Sequence, residues 1–306
     1  MLEALTGFVV VGVAITLGWI IGRIDLLGPH ARHVLGRLIF FVLAPFLLFV
    51  VLSQADVQTL FSSLLPVSAI AAAVIIGAHA VIARLVWKRS VGETLIGALS
   101  AGQVNSNNIG IPLSAYILGS AAYPAPVILL QLLVFTPISL TIFEAIASGR
   151  RSLGAALRRT VTNPIVIGSV LGTLVSVSGI SLPPIVLDPA RLIADAAVPV
   201  LLISYGISLH GQRVLGARGR RRDILLASAL KLLVMPATAW GAALLFALSP
   251  METFVVVVLA ALPTAQNVFN YAQRYVVGES IARDTIFITT IGCVPVLIAA
   301  TLLLSP

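Results

Sequence analysis

Charged side chains are scarce in this sequence. Lysine, arginine, aspartate and glutamate make up 10% of its 306 residues, whereas about 25% is typical of soluble domains. Apolar residues make up 59% and fall in runs of about twenty, the length of a helix that crosses a ~30 Å hydrocarbon core. A membrane β-barrel would instead alternate apolar and polar residues over about ten positions. The composition therefore predicts an all-α membrane protein.

Cysteines and catalytic motifs are lacking as well. The single cysteine, Cys293, lies in an apolar run, which excludes an internal disulfide and a cysteine-based redox or zinc motif. The sequence contains no HExxH, GxSxG or P-loop motif, and no pair of carboxylates spaced for acid–base work. We therefore expect neither an enzyme nor a nucleotide-driven pump, and we expect no metal and no cofactor.

Ten apolar segments are predicted to span the membrane. They cover residues 4–22, 34–53, 64–83, 92–118, 124–147, 163–181, 190–208, 223–247, 251–273 and 284–304. If the first connection is cytoplasmic, 17 of the 19 basic residues fall on the cytoplasmic side. The opposite loops SQADVQTLFSS and LSPME contain no Lys or Arg. By the positive-inside rule, both termini lie outside.

The basic loops also bear on partners and location. We interpret them as orientation signals and as contacts with anionic membrane lipid, and we expect no nucleic acid partner. Arginine greatly outnumbers lysine, which is typical of a GC-rich bacterial genome. The sequence therefore predicts a multi-pass protein of the bacterial inner membrane.

The longest cytoplasmic connection divides the chain into two halves. Residues 149–162 separate a first five-helix repeat, 1–148, from a second, 163–306. An odd number of helices in each half forces the halves into opposite orientations, the condition for an inverted repeat. Similar apolar surroundings recur at Pro45 and Pro199 and at Pro137 and Pro295, 154 and 158 residues apart. We therefore predict two inverted five-helix repeats.

Each half interrupts the same predicted helix. QVNSNNIGIP, residues 103–112, breaks the fourth span, and LPTAQNVFNYA, residues 262–272, breaks the ninth. Proline removes an amide donor and clashes with the preceding turn, and freed backbone groups at membrane depth need partners. Helices 4 and 9 are therefore predicted to be discontinuous and crossed. The ends of such half-helices present N–H groups and positive dipoles to a small anion.

The polar residues of the two breaks are the candidate substrate-binding residues. Asparagine and glutamine supply donors and acceptors without bringing a charge into the bilayer. The alternative is that the amides only join helices and that the prolines only kink them. The matched occurrence of the two breaks favours a binding site. The predicted set is Asn105, Asn108, Gly110, Pro112, Pro263, Gln266, Asn267 and Asn270.

These residues resemble motifs of a known family. NSNNIGIPL, residues 105–113, resembles the N-x-x-x-x-G-(I/L)-P-L element of the auxin efflux carrier family. ALPTAQNVFNYAQRY, residues 261–275, resembles its A-L-P-x-x-x-x-x-F-x-x-A-x-x-Y element. TNP at 162–164 and DAAVPVLLISYGISL at 195–209 are also similar to the family. The chain departs from the pattern in its extra asparagines, among them Asn267 and Asn270, which leaves the substrate open.

The resemblance implies a fold and a mode of action. Helices 1, 2, 6 and 7 would form a scaffold, often dimeric, and helices 3–5 and 8–10 would move in an elevator-like way. Family members carry organic anions such as auxin, malate or malonate. Asn105 would contact the substrate carboxylate, and Pro112 and Pro263 would shape the crossover.

Three ionisable residues are candidates for coupling or for neutralising the substrate charge. Lys231 lies about eight residues inside the eighth span, where an ionisable group is a functional candidate; the alternative is that it snorkels to the interface. His79 lies near the repeat-related position in the third span and could carry a proton or join two helices. Glu144 lies near the end of the fifth span, where it could pair with Arg150 or Lys231 or serve in proton coupling.

The sequence favours a secondary transporter for a small organic anion that works by alternating access. One alternative is a channel or ligand-binding sensor of the same fold without coupled transport. A cation-coupled symporter is a second alternative, although neither break contains a carboxylate that would bind sodium. An intramembrane enzyme is disfavoured because no catalytic constellation is present.

Overall fold

The structure of the chain, a computed structural model, describes residues 2–54, 63–120, 122–148, 158, 161–211 and 215–306. Throughout these ranges the secondary structure is helical, apart from one isolated β-bridge between Val104 and Thr264. The all-α prediction is therefore correct for the part of the chain that is described. We number thirteen helices in chain order; a π-helical turn at Ser106–Gly110 and a 3-10 turn at Arg218–Arg220 are also assigned in these ranges.

Helices α1 to α6 come from the first half of the chain. They are α1 (Leu2–Arg23), α2 (Ala31–Ser53), α3 (Leu64–Val86), α4 (Val91–Gly102), α5 (Ile111–Ile117) and α6, which comprises Ala125–Leu130, Gln131–Phe135 and Thr136–Ser148. The second half contains α7 (Pro164–Ser178), α8 (Pro184–Asp195), α9 (Ala197–Leu209), α10 (Arg221–Leu245), α11 (Pro250–Ala261), α12 (Gln266–Tyr275) and α13 (Glu279–Leu304).

Five of these helical stretches are long and apolar enough to cross a membrane. They are α2, α3, Ala125–Phe143 of α6, α10 and α13. Gly12–Arg23, α7 and α11 are shorter apolar helices. These lengths are consistent with a multi-pass membrane protein. The number of ten spans and the inversion of the two halves stay predictions.

Three prolines inside long helices follow wider turns, whereas Pro295 lies in a regular stretch of α13. A π-helical turn precedes Pro45 in α2, Pro137 in α6 and Pro236 in α10, at Ile39–Leu43, Gln131–Phe135 and Leu230–Val234 respectively. Proline cannot donate to the carbonyl one turn earlier, and its ring crowds that carbonyl. A locally wider i→i+5 turn makes room for the ring while the helix continues.

The chain is divided into two compact units, each assembled from three separate segments. Unit 1 comprises Met1–Phe61, Ile111–Ala125 and Leu157–Gln212. Unit 2 comprises Ser62–Gly110, Pro126–Ala156 and Arg213–Pro306. The division separates the two parts of the fourth predicted span, because Gly110 belongs to unit 2 and Ile111 to unit 1.

Two close helix pairs build unit 1, and glycines allow both. A Cβ atom at Gly18 of α1 would overlap the carbonyl oxygen of Ile203 in α9. A Cβ atom at Gly172 of α7 would lie 2.6 Å from the carbonyl oxygen of Phe49 in α2. Helices in membranes associate through such small residues because their backbones can then approach each other.

Unit 2 is held together at one end by charged side chains. Asp223, which is 1% exposed at the start of α10, accepts hydrogen bonds from Arg89 Nε at 3.0 Å and Nη2 at 2.6 Å. The bidentate contact raises the pKa of the Arg89 guanidinium above its usual value. Arg220 pairs with Glu93 of α4 at the same end. These contacts tie the start of α10 to the connection between α3 and α4.

Candidate functional site

The fourth and ninth predicted spans are both broken, and their breaks are hydrogen-bonded to each other. α4 ends at Gly102 and α11 ends at Ala261, and after each of these helices the backbone becomes extended. Asn105 N–H donates to the carbonyl of Pro263 at 2.7 Å, and Ala265 N–H donates to the carbonyl of Gln103 at 3.1 Å. These two bonds form the antiparallel bridge between Val104 and Thr264. The bridge supplies partners for backbone groups that the broken helices cannot satisfy internally.

Side chains from α6 and α13 satisfy further backbone groups of the bridge. Gln131 of α6 accepts from Val104 N–H at 3.1 Å and donates to the Val104 carbonyl at 3.1 Å and to Ser106 Oγ at 2.8 Å. Thr289 of α13 accepts from Thr264 N–H at 3.1 Å through its hydroxyl. The two residues stand 158 positions apart, the spacing of Pro137 and Pro295. Each of the two opposed segments of the bridge thus receives a side-chain partner from a residue six positions before one of these prolines.

The carbonyls at the ends of α4 and α11 also receive side-chain donors. Thr264 Oγ1 donates to the carbonyl of Ser100 at 2.6 Å. Lys231 Nζ donates to the carbonyl of Ala260 at 2.6 Å and contacts Met235 Sδ at 3.3 Å. A cation at the C-terminal end of a helix is favoured by the negative end of the helix dipole. Lys231 therefore contacts the break in α11 directly.

The burial of Lys231 excludes one of the two readings proposed from the sequence. Its side chain is 0% exposed, so it does not snorkel to an interface. No ion pair involves Lys231 within the described ranges, and Glu144, its suggested partner, has a side chain outside them. The amine of Lys231 is thus held in the interior of unit 2 by a carbonyl oxygen and a thioether.

Three amide side chains at the breaks have buried polar atoms without a hydrogen-bond partner in the described structure. They are Gln103 Nε2, Asn107 Oδ1 and Gln266 Oε1. Asn107 and Gln266 are 159 positions apart and follow the two chains of the bridge at corresponding places. Buried polar atoms are almost always paired. Unpaired amides in both breaks are therefore candidates for binding a polar ligand.

A small cavity lies beside the bridge. It has a volume of about 10 Å³ and is lined in part by Val104, Gln131, Met235 and Ala260. This volume accommodates about one water molecule. The cavity therefore adjoins both the bridge and the partners of Lys231, but it is too small for a carboxylate substrate.

The other predicted substrate-binding residues are placed as follows. Asn105 and Pro263 are buried at the bridge. Gly110 is also buried, and a Cβ atom there would approach Leu262 Cδ1 to 2.9 Å. Asn267 and Asn270 lie on the exposed face of α12, whose opposite face packs through Val268 and Ala272. The side chains of Asn108 and Pro112 lie outside the described part of the structure.

His79 is buried in α3 and takes part in none of these hydrogen bonds. Its ring is 0% exposed and lies against Gly97 of α4, where a Cβ atom would overlap the imidazole. Neither ring nitrogen has a hydrogen-bond partner among the described atoms. No hydrogen bond joins His79 to Lys231 in that same set, so a direct relay between the two residues is not part of this structure.

Several residues of the site were not foreseen from the sequence. Gln103, Asn107, Gln131, Thr264 and Thr289 all contribute to the bridge or lie beside it. The sequence contains a feature that could have pointed to Gln131 and Thr289. Each is a polar residue in an apolar run, six positions before Pro137 and Pro295 respectively.

Comparisons with known proteins agree with the fold. A family described as membrane transport protein matches residues 4–152 and 146–300 of the chain. A protein of Methanothermobacter thermautotrophicus, named an uncharacterized transporter, is 27% identical over 286 residues, which cover 91% of each chain. The chain thus belongs to the membrane transport protein family, and its resemblance to the auxin efflux carriers is confirmed.

Proposed function

We propose that the protein is a secondary transporter of a small organic anion, a carboxylate, which binds where the breaks after α4 and α11 meet. The observation that carries the proposal is the hydrogen-bonded bridge between Val104 and Thr264, flanked by unpaired amides from both halves. A break in two helices at one point is costly in a membrane. A binding site gives a reason for retaining it.

The chemistry around the bridge suits an anion. The stretches 103–112 and 262–272 contain seven Asn and Gln residues in all and no acidic residue. Lys231 adds a buried ammonium group next to the end of α11. Amide donors and one nearby cation would stabilise a carboxylate, whereas sodium binding calls for oxygen ligands that include carboxylates. This composition favours an anion carrier over a sodium symporter.

The division of the chain supports a mode of transport. Unit 2 contains the bridge, Lys231 and His79, and unit 1 contains α1, α2, α7, α8 and α9. We propose that unit 2 carries the substrate by elevator-type alternating access and that unit 1 is the scaffold, which forms a homodimer. The protein would reside in a bacterial inner membrane with both termini on the periplasmic side.

Reconstituted protein tests this function. A thermal-shift screen of mono- and dicarboxylates on the purified chain identifies ligands, and proteoliposomes loaded with each ligand are then assayed for counterflow of the radiolabelled compound. We expect saturable exchange with at least one carboxylate. Asn105→Ala should abolish binding and exchange, whereas Gln54→Ala, which removes an exposed amide in unit 1, should change neither.

The two alternatives give different results in the same assay. Binding without exchange would identify a sensor, and flux that does not saturate would identify a channel. Exchange that requires a sodium gradient would identify a symporter. Unchanged affinity in Asn105→Ala would remove that residue from the site.

A further inference from the structure

A second cavity lies in unit 1, and none of its lining residues belongs to the bridge. Its volume is about 370 Å³, within the range of small-ligand sites. It is formed by the end of α1, the loop that follows, the start of α2 and the end of α9. The residues that line it include Ile21, Arg23, Asp25, Leu27, Arg32 and His210.

Arg32 is held in place at this cavity. Its Nη2 donates to the carbonyl of Ile207 at 3.2 Å and to the carbonyl of His210 at 3.1 Å, both at the C-terminal end of α9. These two bonds use one nitrogen of the guanidinium. A guanidinium carries five N–H donors, so Nε and Nη1 retain donors that a ligand in the cavity can use.

Arg23 supplies a second guanidinium. Its Cζ lies 5.3 Å from the centre of the Trp19 ring, and the Trp19 ring meets His210 edge-on at 6.2 Å. The aromatic contact fixes the direction of the side chain without using its in-plane N–H donors. No acidic group within the described residues forms an ion pair with Arg23 or Arg32.

The charges of the cavity favour an anion. Two guanidinium groups and the carboxylate of Asp25 give the lining a net charge of +1 with His210 neutral. Planar guanidinium groups match the oxygens of phosphate, which they bind through paired hydrogen bonds. A phosphodiester carries one negative charge and would balance the lining.

The surface next to the cavity is apolar. Ile24 is 62% exposed and Leu26 is 65% exposed. Trp19 lies one helical turn before Arg23 on α1. In a membrane protein such side chains face acyl chains, and tryptophan is enriched at the level of the lipid headgroups. The site therefore combines a phosphate-binding pair of arginines with a flanking surface for lipid tails.

We propose that this cavity binds a phosphate group, carried either by a phospholipid headgroup or by a small soluble phosphate compound. The ligand sits between Arg23 and Arg32, and Asp25 accepts a hydrogen bond from a hydroxyl or amine of the same headgroup. This site is separate from the substrate site at the bridge and does not depend on the proposed transport function.

Trp19 provides a local probe for the test. The chain contains three tryptophans, so full-length protein carrying Trp87→Phe and Trp240→Phe reports fluorescence from Trp19 alone. The protein is purified in a maltoside detergent, which contains no phosphate. It is then titrated with dihexanoyl phosphatidylglycerol, dihexanoylglycerol, glycerol 3-phosphate and inorganic phosphate.

The proposal expects a saturable change of Trp19 fluorescence with phosphatidylglycerol and none with dihexanoylglycerol. Arg23→Gln should weaken that binding about tenfold, the effect of losing one charge-assisted interaction. Arg37→Gln is the matched control, because Arg37 in α2 has the same charge, but its guanidinium carbon lies 5.8 Å from the centre of the Phe41 ring and the residue does not line the cavity.

The arms of the titration also identify the source of the phosphate. Binding of phosphatidylglycerol alone assigns the site to lipid, and binding of glycerol 3-phosphate or phosphate with similar affinity assigns it to soluble compounds. The proposal is overturned if no phosphate-bearing probe saturates. It is also overturned if Arg23→Gln and Arg37→Gln weaken binding equally, since general attraction to basic loops would then explain the data.

Discussion

Lys231 shows at the scale of one residue how function and stability compete in this protein. Its side chain is 0% exposed, and its amine donates to a carbonyl and a thioether, with no acidic partner among the described residues. Burial of an amine without an acidic partner is costly whether or not it is protonated, and a side chain selected for stability alone would be apolar. We therefore interpret Lys231 as a residue retained for transport.

Lys231→Met tests this interpretation. We expect substrate exchange to fall at least tenfold while the melting temperature in detergent stays unchanged or rises, because methionine fills the same space without a buried charge. Lys88→Met is the matched control, since it removes the only other lysine, which is exposed, and it should leave exchange unchanged. Normal exchange by Lys231→Met at several pH values would show that the ammonium group has no role in transport.

Gln131, in contrast to Lys231, is expected to contribute to stability, because its side chain is hydrogen-bonded to the bridge. Gln131→Leu removes three hydrogen bonds to Val104 and Ser106 and leaves buried backbone groups unpaired, at about 1–3 kcal/mol for each. We expect a clear drop in the melting temperature. Gln54→Leu, at an exposed position, is the control. Equal melting temperatures for the two variants would mean that the bridge does not depend on Gln131.

The sequence located the two breaks more accurately than it identified the contacts between them. Polar residues next to Pro112 and Pro263 pointed to the two breaks, because such residues are rare in membrane helices. The partners Gln131 and Thr289 lie on other spans. A pattern along one segment does not show which distant side chain will face it, so these contacts required the three-dimensional structure.

At the scale of helices, close packing in unit 1 depends on glycines that are four residues apart. Gly18 and Gly22 of α1 face α9, and Gly168 and Gly172 of α7 face α2. The contacted residues Ile203 and Ile207 stand 158 positions after Pro45 and Phe49. The contacted residues thus have the spacing of Pro137 and Pro295, whereas the glycines themselves are 150 positions apart.

Gly18→Val tests this packing. The new side chain would overlap the Ile203 carbonyl oxygen, so α1 and α9 would have to separate, and we expect little folded protein after purification. Gly12→Val is the matched control on the same helix, because a Cβ atom at Gly12 meets nothing within 4 Å. Size-exclusion profiles of the two variants decide the matter. A monodisperse Gly18→Val protein with an unchanged melting temperature would contradict the close approach of these helices.

The π-helical turns mark a limit of prediction at this scale. The prolines were visible in the sequence, but proline was expected only to kink or break a helix. In α2, α6 and α10 the helix instead continues through a widened turn. Which of these responses occurs depends on the neighbouring helices that hold the two flanking segments in line, and local propensity does not contain that information.

At the scale of the whole molecule, matching details recur in the two halves. Ser90 accepts from Glu93 N–H at the start of α4, and Ser249 accepts from Glu252 N–H at the start of α11, both at 3.3 Å and 159 positions apart. The bridge joins Val104 to Thr264, 160 positions apart. These regularities agree with the repeat that the proline spacings predicted. An inverted repeat of five helices would place the two halves in opposite orientations in the membrane.

The topology follows from the charge distribution and is testable with the single cysteine removed. In a Cys293→Ala background, Ser181→Cys and Ser305→Cys introduce thiols at exposed positions that ten spans place outside. Lys88→Cys and Arg222→Cys introduce thiols at exposed positions on the basic side. A maleimide that does not cross membranes should label the first two in spheroplasts with an intact inner membrane, and the last two only after permeabilisation.

The labelling pattern of these four thiols shows whether one of the ten predicted spans fails to cross the membrane. If one break in the fourth or ninth span were a re-entrant segment that returned to the side from which it came, every later loop would change sides. If the fourth span were the re-entrant one, Arg222→Cys would be labelled in intact spheroplasts and Ser305→Cys would be protected. Lys88→Cys precedes the fourth span and would stay protected. Basic loops resist transfer across the membrane, so moving the loop around Arg222 to the outside would be costly. We therefore expect Arg222→Cys and Ser305→Cys to lie on the sides predicted by ten complete crossings.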